Sequence, residues 1–353
     1  MIPAPENPWA PNLVAGAVQL RRMLLGRLAS SALGVAARLR LPDLLADGPR
    51  TVDDLAGIAG AAPGPLYQLM RALVAFGVFT EHASGGATLS MFALTPLGQE
   101  LRSDSPGTAW PSALLASGEI GQAWDALLEA VRTGQPAFDR VFGVDFFTYL
   151  ESRPELRRTF YASQASDLEN TLAGLEELDF AAYRRIVDVG GGDGALLAHV
   201  LTTCPNSHGV LLDQAGVAAA AAKRMADAGL SQRCEIVSGN FFSEVPAGGD
   251  LYLLRDVLHD WPDDRCVDLL RVCRRAMPDT AVLMVIERIS GDGPSASSDG
   301  QLIALMDLYM LAVLGGRERT HDEYRNLLRQ GGFVPRSVHC LPTGVTLIEG
   351  VVA

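Results

Sequence analysis

Apolar and polar positions follow two different rhythms along this chain. Leu13–Leu39 carries apolar residues at helical spacing among several alanines, which predicts a long amphipathic helix. "TVDDLAGIAG" (Thr51–Gly60) opens with a hydroxyl and places Asp53 and Asp54 in a first turn, the start of a capped helix. "PGPLYQLMRALVAFGVFTEH" predicts a helix running into a strand, and "GGATLSMFALTPLGQEL" a turn, a strand and another helix. Helix–turn–helix followed by a two-stranded wing is the winged-helix pattern. Residues 106–182 are helical again. From residue 183 short apolar runs ("RRIVDV", "HGVLLD", "CEIVSG", "DLYLLRDV", "TAVLMVIERI") alternate with helical stretches. That alternation predicts a parallel α/β sheet with helices on both faces. The last two strands, "GFVPRSVHCL" and "GVTLIEGVVA", are separated only by Pro342 and Thr343, a link that requires an antiparallel pair. The expected organisation is a helical, winged-helix-like domain over residues 1–105 and an α/β domain over 106–353, joined through helices at 106–182.

Composition narrows what such a molecule can do. With 353 residues, 48% hydrophobic and 20% charged, the chain can bury two cores and is not expected to be disordered. A net charge of −12 disfavours nucleic-acid phosphates and anionic membranes as partners. The helix after the turn in the winged pattern offers only Arg71 as a cation, so an architectural or dimer-forming module is favoured over DNA binding. No uninterrupted apolar run is long enough to span a membrane. "MIPAPENPWAPNL" lacks the basic and apolar regions of a secretion signal. Cys204, Cys234, Cys266, Cys273 and Cys340 form no CxxC pair and no metal-ligand spacing, so reduced thiols, a cytoplasmic setting and no bound metal are expected.

Chemistry concentrates after the first strand of the α/β half. "RIVDVGGGDGALL" places Gly190, Gly191, Gly192 and Gly194 between strand and helix. There a backbone without Cβ atoms can turn tightly and approach a ligand. Asp213 ends the next strand, where a carboxylate can accept both ribose hydroxyls of a nucleoside. "SGNFF" (238–242) ends the third strand, where an adenine edge would lie. These features alone fit either a nicotinamide cofactor or S-adenosylmethionine. The terminal antiparallel pair and the late position of the glycine loop argue against the former.

The stretches "VDVGGGDG", "LLDQAGV", "SGNFF", "LLRDVLHDWPDD", "VIERI" and "GGRERTHDEYRNLLRQGGF" occur in order across residues 184–333. In these, the chain resembles the class I S-adenosylmethionine-dependent methyltransferases. More narrowly, it is similar to the plant caffeate and flavonoid type of small-molecule O-methyltransferase and its bacterial natural-product relatives. The helical, winged amino-terminal half matches as well. The resemblance implies a Rossmann-like methyltransferase sheet with an antiparallel terminal hairpin. It implies a homodimer in which the winged module closes part of the partner's substrate pocket. Gly190 and Gly192 would line the methionine part of S-adenosylmethionine, Asp213 would bind the ribose, Asn240 and Phe241 would flank the adenine, and Arg255 would sit near the carboxylate. His259 would be the general base, flanked by Glu287 and Glu318. Two positions depart from the pattern: Asn240 stands where aspartate is usual, and Arg255 where plant members have lysine.

The residues themselves support a base at this place. A phenol is mostly protonated at neutral pH, and a group titrating near about 6.5 can take its proton during attack on a methyl group. His259 follows the fourth strand, and Glu287 near the end of the fifth is placed to accept the other imidazole N–H. Glu318 takes part in the same site unless it pairs with Arg317 or Arg319. Asp260 is expected as a helix cap or hydrogen-bond partner, and Trp261 as packing. In "LMDLYMLAVLGG" (305–316), Met306 and Asp307 are the candidates on the side of a small aromatic substrate. The expected activity is methyl transfer to an aromatic hydroxyl. The alternative is a relative on the same scaffold that performs hydroxylation or decarboxylation, and the retained histidine argues against it.

Overall fold

Thr51 is the N-cap of the helix Val52–Ala59, its hydroxyl accepting from the Asp54 N–H at 3.1 Å. A second helix, Pro63–Ala75, buries Leu66, Met70 and Leu73, which share one face at helical spacing. These side chains meet Leu55, Phe79 and Phe92 in one core. The small sheet beside them consists of β1 (Arg50–Thr51), β2 (Phe79–Ala83) and β3 (Ser90–Leu94), in the order β1-β3-β2 and all antiparallel. This is the expected winged arrangement. In the long helix Leu13–Arg38, Ala36 and Ala37 are buried, whereas Leu20, Met23, Leu24 and Leu28 are exposed.

The structure, a computed structural model, describes residues 13–83, 90–105, 107–175, 178–291, 298–341 and 345–353. The expected turn at Gly85 and Gly86, the link through Pro342 and Thr343, and the first 12 residues lie outside the described residues. The chain divides into two units, Met1–Glu119 and Ile120–Ala353. Among the described residues no helix is long and apolar enough to cross a membrane. All five cysteines are free.

The second unit is built on a seven-stranded sheet. Its strands are β4 (Arg185–Val189), β5 (His208–Asp213), β6 (Cys234–Ser238), β7 (Leu251–Arg255), β8 (Val282–Arg288), β9 (Phe333–Cys340) and β10 (Val345–Val352). The order is β6-β5-β4-β7-β8-β10-β9. β4 to β8 pair in parallel, and β10 pairs antiparallel with both β8 and β9. Strands buried on both faces need continuous apolar runs. Val187, Leu211, Leu253 and Val285 supply them, each fully buried. One core lies on each side of the sheet. Strand order reverses between β4 and β7. A parallel sheet opens a crevice at such a point, beyond the carboxyl ends of its strands.

Candidate active site

The glycine loop leaves β4 at that crevice. Gly190 and Gly192 have φ of +74° and +59°, a left-handed conformation that side-chain-bearing residues rarely adopt. Gly191 has no room for a side chain, because a Cβ would come 2.6 Å from Oδ2 of Asp188 and 2.9 Å from Leu211. Asp213 closes the loop from below. Its Oδ2 accepts from the Gly192 N–H at 2.8 Å, and its Oδ1 from the Gln214 N–H at 2.7 Å. Burial pushes the Asp213 carboxyl up, and those two N–H donors hold it back.

The loop borders a cleft of about 970 Å³, open mouth included. Gly190, Gly192, Asp213, Phe241 and Arg255 all line it. Asp188 lines its floor. That residue is 1% exposed, its Oδ2 has no hydrogen-bond partner, and burial pushes its carboxyl up to about 7 against the pull of Arg255. Arg255 pairs with Asp256 at 2.8 Å and keeps Nε buried without a partner. Asp256 itself has φ +49°, a strained position for a residue with a side chain.

His259 sits in the short 3-10 turn Leu258–Asp260 and is 6% exposed. Nδ1 of the imidazole is 3.2 Å from Oε1 of Glu318 and 3.6 Å from Oε2 of Glu287. Nε2 makes no hydrogen bond and lies 3.4 Å from Oδ1 of Asp260. Burial opposes a charge on this ring, but the carboxylates of Glu287, Asp260 and Glu318 outweigh it and hold the His259 pKa well above its ordinary value. For the acids, burial pushes Glu287 up to about 8 and Asp260 up to about 7, both moderated by His259. Ligand-type atoms of Asp256, His259 and Glu287 lie within 4.8 Å of one another, but Oε1 of Glu287 already accepts backbone N–H groups.

The expected residues therefore divide. His259, Glu287 and Glu318 come together from three separate segments, with Glu318 taking the imidazole hydrogen bond that the sequence assigned to Glu287. Arg317 and Arg319 do not compete for Glu318, because both pair with Asp263. Asp260 is not a helix cap, since Pro262 holds that position before Asp263–Ala276; it lines the cleft instead. Asn240 is exposed and its Oδ1 accepts from the Phe242 N–H within its own loop. Met306 is half-buried, and neither it nor Asp307 lines the cleft. Asp307 instead accepts the Glu318 N–H at 2.9 Å.

The chain is similar to known proteins. A family model for the O-methyltransferase domain matches residues 124–334, and one for the O-methyltransferase dimerisation domain matches residues 22–104. The chain belongs to the O-methyltransferase family. It is 43% identical over 336 residues to O-methyltransferase SfmM3 of Streptomyces lavendulae, covering 94% of this chain and 99% of that one. It is 39% identical to the phenazine O-methyltransferase PhzM of Lysobacter antibioticus, over 95% of this chain and 97% of that one. Its fold matches that of NcsB1, an O-methyltransferase from neocarzinostatin biosynthesis solved with S-adenosylmethionine and 2-hydroxy-5-methyl naphthoic acid. That match has a TM-score of 0.82 and 36% identity, over 92% of this chain and 96% of that one.

Some lining residues of this O-methyltransferase were not singled out from the sequence. Tyr161, Gln164 and Phe147 come from the linking helices. Trp261 was expected as packing, and it does stack on Phe147 and meet Phe241 and Phe242 edge-on, but it also borders the cleft. Asp188 was visible as an acid inside an apolar strand, a signal of a buried polar group with a task. Phe147 and Tyr161 carry no comparable signal, because an aromatic on a helix face resembles core, and Gln164 reads as an ordinary polar helix position.

Proposed function

We propose that this protein transfers the methyl group of S-adenosylmethionine to a hydroxyl of a small aromatic metabolite, with His259 as general base. The observation that carries the reading is a buried imidazole, hydrogen-bonded to Glu318 with Glu287 3.6 Å away, next in sequence to Asp260, which lines the same cleft as the glycine loop. The cleft residues fit the cofactor. Asp188 Oδ2 and Arg255 Nε, in the cleft lining, are buried without hydrogen-bond partners, and Gly190 and Gly192 hold left-handed φ that side-chain-bearing residues rarely adopt. Gly190 and Gly192 would face the methionine part, Asp213 the ribose, Asn240 and Phe241 the adenine, and Arg255 the carboxylate. When bound, S-adenosylmethionine supplies a methyl group on a positively charged sulfur.

The chain's own residues do the rest. Glu318 fixes the imidazole through Nδ1, which leaves Nε2 as the nitrogen free to accept a proton. The surrounding carboxylates stabilise the imidazolium that results and make the neutral ring a stronger base. Met306 is the substrate-side candidate, and Asp307 contributes through the Glu318 backbone. Residues 1–105 would act as the dimer-forming domain and 106–353 as the catalytic one. The exposed apolar side chains of the helix Leu13–Arg38 support a homodimer, and the free cysteines support a cytoplasmic setting.

The test is mass spectrometry of products formed from S-adenosylmethionine and a panel of phenols, naphthoates and quinones. Gain of one methyl on oxygen is the expected result. Gain of oxygen or loss of carbon dioxide would instead support hydroxylation or decarboxylation on this scaffold.

A further inference from the structure

The turn Leu258–Asp260 is too short to hold itself, since a single 3-10 turn leaves most of its backbone groups unpaired within the element. On one side, the N–H groups of Val257, Leu258 and His259 converge on Oε1 of Glu287 at 3.2, 2.8 and 3.3 Å. On the other side the carbonyls are held chiefly by the segment Gly316–Arg319, with the weakly donating Cys266 thiol also reaching the Leu258 and Trp261 oxygens at 3.1 and 3.4 Å. Nη1 of Arg319 donates to the Leu258 oxygen at 2.8 Å and Nη2 to the Trp261 oxygen at 2.7 Å, so one guanidinium spans His259. The Arg317 N–H donates to the His259 oxygen at 2.9 Å. Gly316 lies so close that a Cβ would overlap that same oxygen.

Arg319 is fully buried. Its remaining donors go to Oδ1 of Asp263 at 2.9 and 2.8 Å and to the Arg317 oxygen at 3.3 Å. Burying a guanidinium is costly, and an apolar side chain would fill the same space without that cost. What the apolar side chain cannot do is bridge two carbonyls with a planar, rigid fork.

We propose that Arg319 is a positioning residue for methyl transfer, clamping the carbonyl side of the His259 turn while Glu287 clamps its N–H side. This rests on His259 being the base. The imidazole has one hydrogen bond of its own, from Nδ1, so the backbone sets where Nε2 points. A displacement of about 1 Å in a reacting group can cost about 100-fold in rate.

The experiment compares Arg319→Met, Arg319→Lys and Asp263→Asn with the wild type. It reads kcat and KM on a phenol methylated by the wild type, S-adenosylmethionine affinity by calorimetry, and hydrogen–deuterium exchange of peptides spanning 257–261. Arg319→Met should lower kcat up to about 100-fold with little change in KM or cofactor affinity, and should speed exchange in that peptide while β4 stays protected. Arg319→Lys should recover part of the rate, because an ammonium reaches one carbonyl but lacks the fork. Asp263→Asn should change kcat and local exchange far less than Arg319→Met. Wild-type kcat and wild-type exchange in Arg319→Met overturn the proposal. So does an Asp263→Asn loss as large as that of Arg319→Met, which would make the arginine only half of a structural ion pair. If Arg319→Met does not fold, Arg319→Lys decides: unchanged kcat and protection overturn the clamp. Exchange needs no acceptor, so a wild type that transfers no methyl sinks the base assignment while the clamp is still judged by exchange.

Discussion

The two walls of the cleft are built by different physics. On the β4–β5 wall, a glycine loop and Asp213 are joined through backbone N–H groups, and the partners are close in sequence or on the next strand. On the β7–β8 wall, the His259 turn draws its partners from Glu287, Glu318 and Arg319, which reach it from three later positions. The first wall uses the shape of the main chain. The second uses buried charges that balance one another, and a buried charge is tolerated only when its partners are in place. Cofactor binding should therefore depend mainly on the first wall, with Arg255 contributed from the end of β7, and chemistry on the His259 turn of the second.

The sharpest way to break this comparison is His259→Ala. Methyl transfer should fall by about two to four orders of magnitude, the usual contribution of a general base, with cofactor affinity nearly intact. Loss of cofactor binding in calorimetry would mean that the walls are not separable.

Asp213→Ala should show the converse. Losing a buried hydrogen-bonding carboxylate should weaken S-adenosylmethionine binding by about 1.5–3 kcal/mol. The variant also frees the Gly192 and Gln214 N–H groups, so the loop keeps only its Gly190 N–H to Leu212 oxygen bond to β5. Unchanged affinity would remove Asp213 from the ribose assignment.

Glu318→Gln sharpens the comparison through pH. The active form of His259 is neutral, so kcat/KM rises as pH climbs through its pKa. Despite burial, the carboxylates of Glu287, Asp260 and Glu318 raise that pKa, which sets the acid limb above the ordinary histidine value of about 6.5. Removing one carboxylate should move the limb to lower pH, with cofactor affinity unchanged. A limb that does not move would detach Glu318 from the base.

The smallest effect is expected at Asn240. It is exposed and bonded within its own loop, so Asn240→Asp should change cofactor affinity by less than about tenfold in calorimetry. A larger gain would show that the amide had been limiting adenine recognition.

Much of the fold was legible because its signals are local. Period-two and period-3.6 patterns placed the winged sheet and the alternating half, and glycines at left-handed φ marked the loop between β4 and its helix. The antiparallel pairing of β9 and β10 was legible from the short interval between them. At the site, His259, Glu287 and Glu318 were recognisable as a set only through the ordered motifs around them. Nothing local showed that Glu318 and not Glu287 holds the imidazole, nor that Asp260 faces the cleft while Pro262 caps the helix. Met306 and Asp307 sat on a helix whose facing direction no periodicity could settle. That helix, Ser298–Tyr309, passes into a π turn at Met310–Leu314 just before the segment that carries Glu318.

By itself the sequence determined which strands are central, where the chain turns on glycine, and which residue types stand at the carboxyl ends of the strands. These follow from side-chain volume, burial preference and backbone freedom, which act over a few residues. Only the tertiary structure decided how the charges around His259 are shared. Glu287 turns to the backbone, Glu318 to the imidazole, and Arg319 to two carbonyls on either side of it. Electrostatic pairing in a buried site depends on distances between segments far apart in the chain, and those distances exist only once the sheet has brought the segments together.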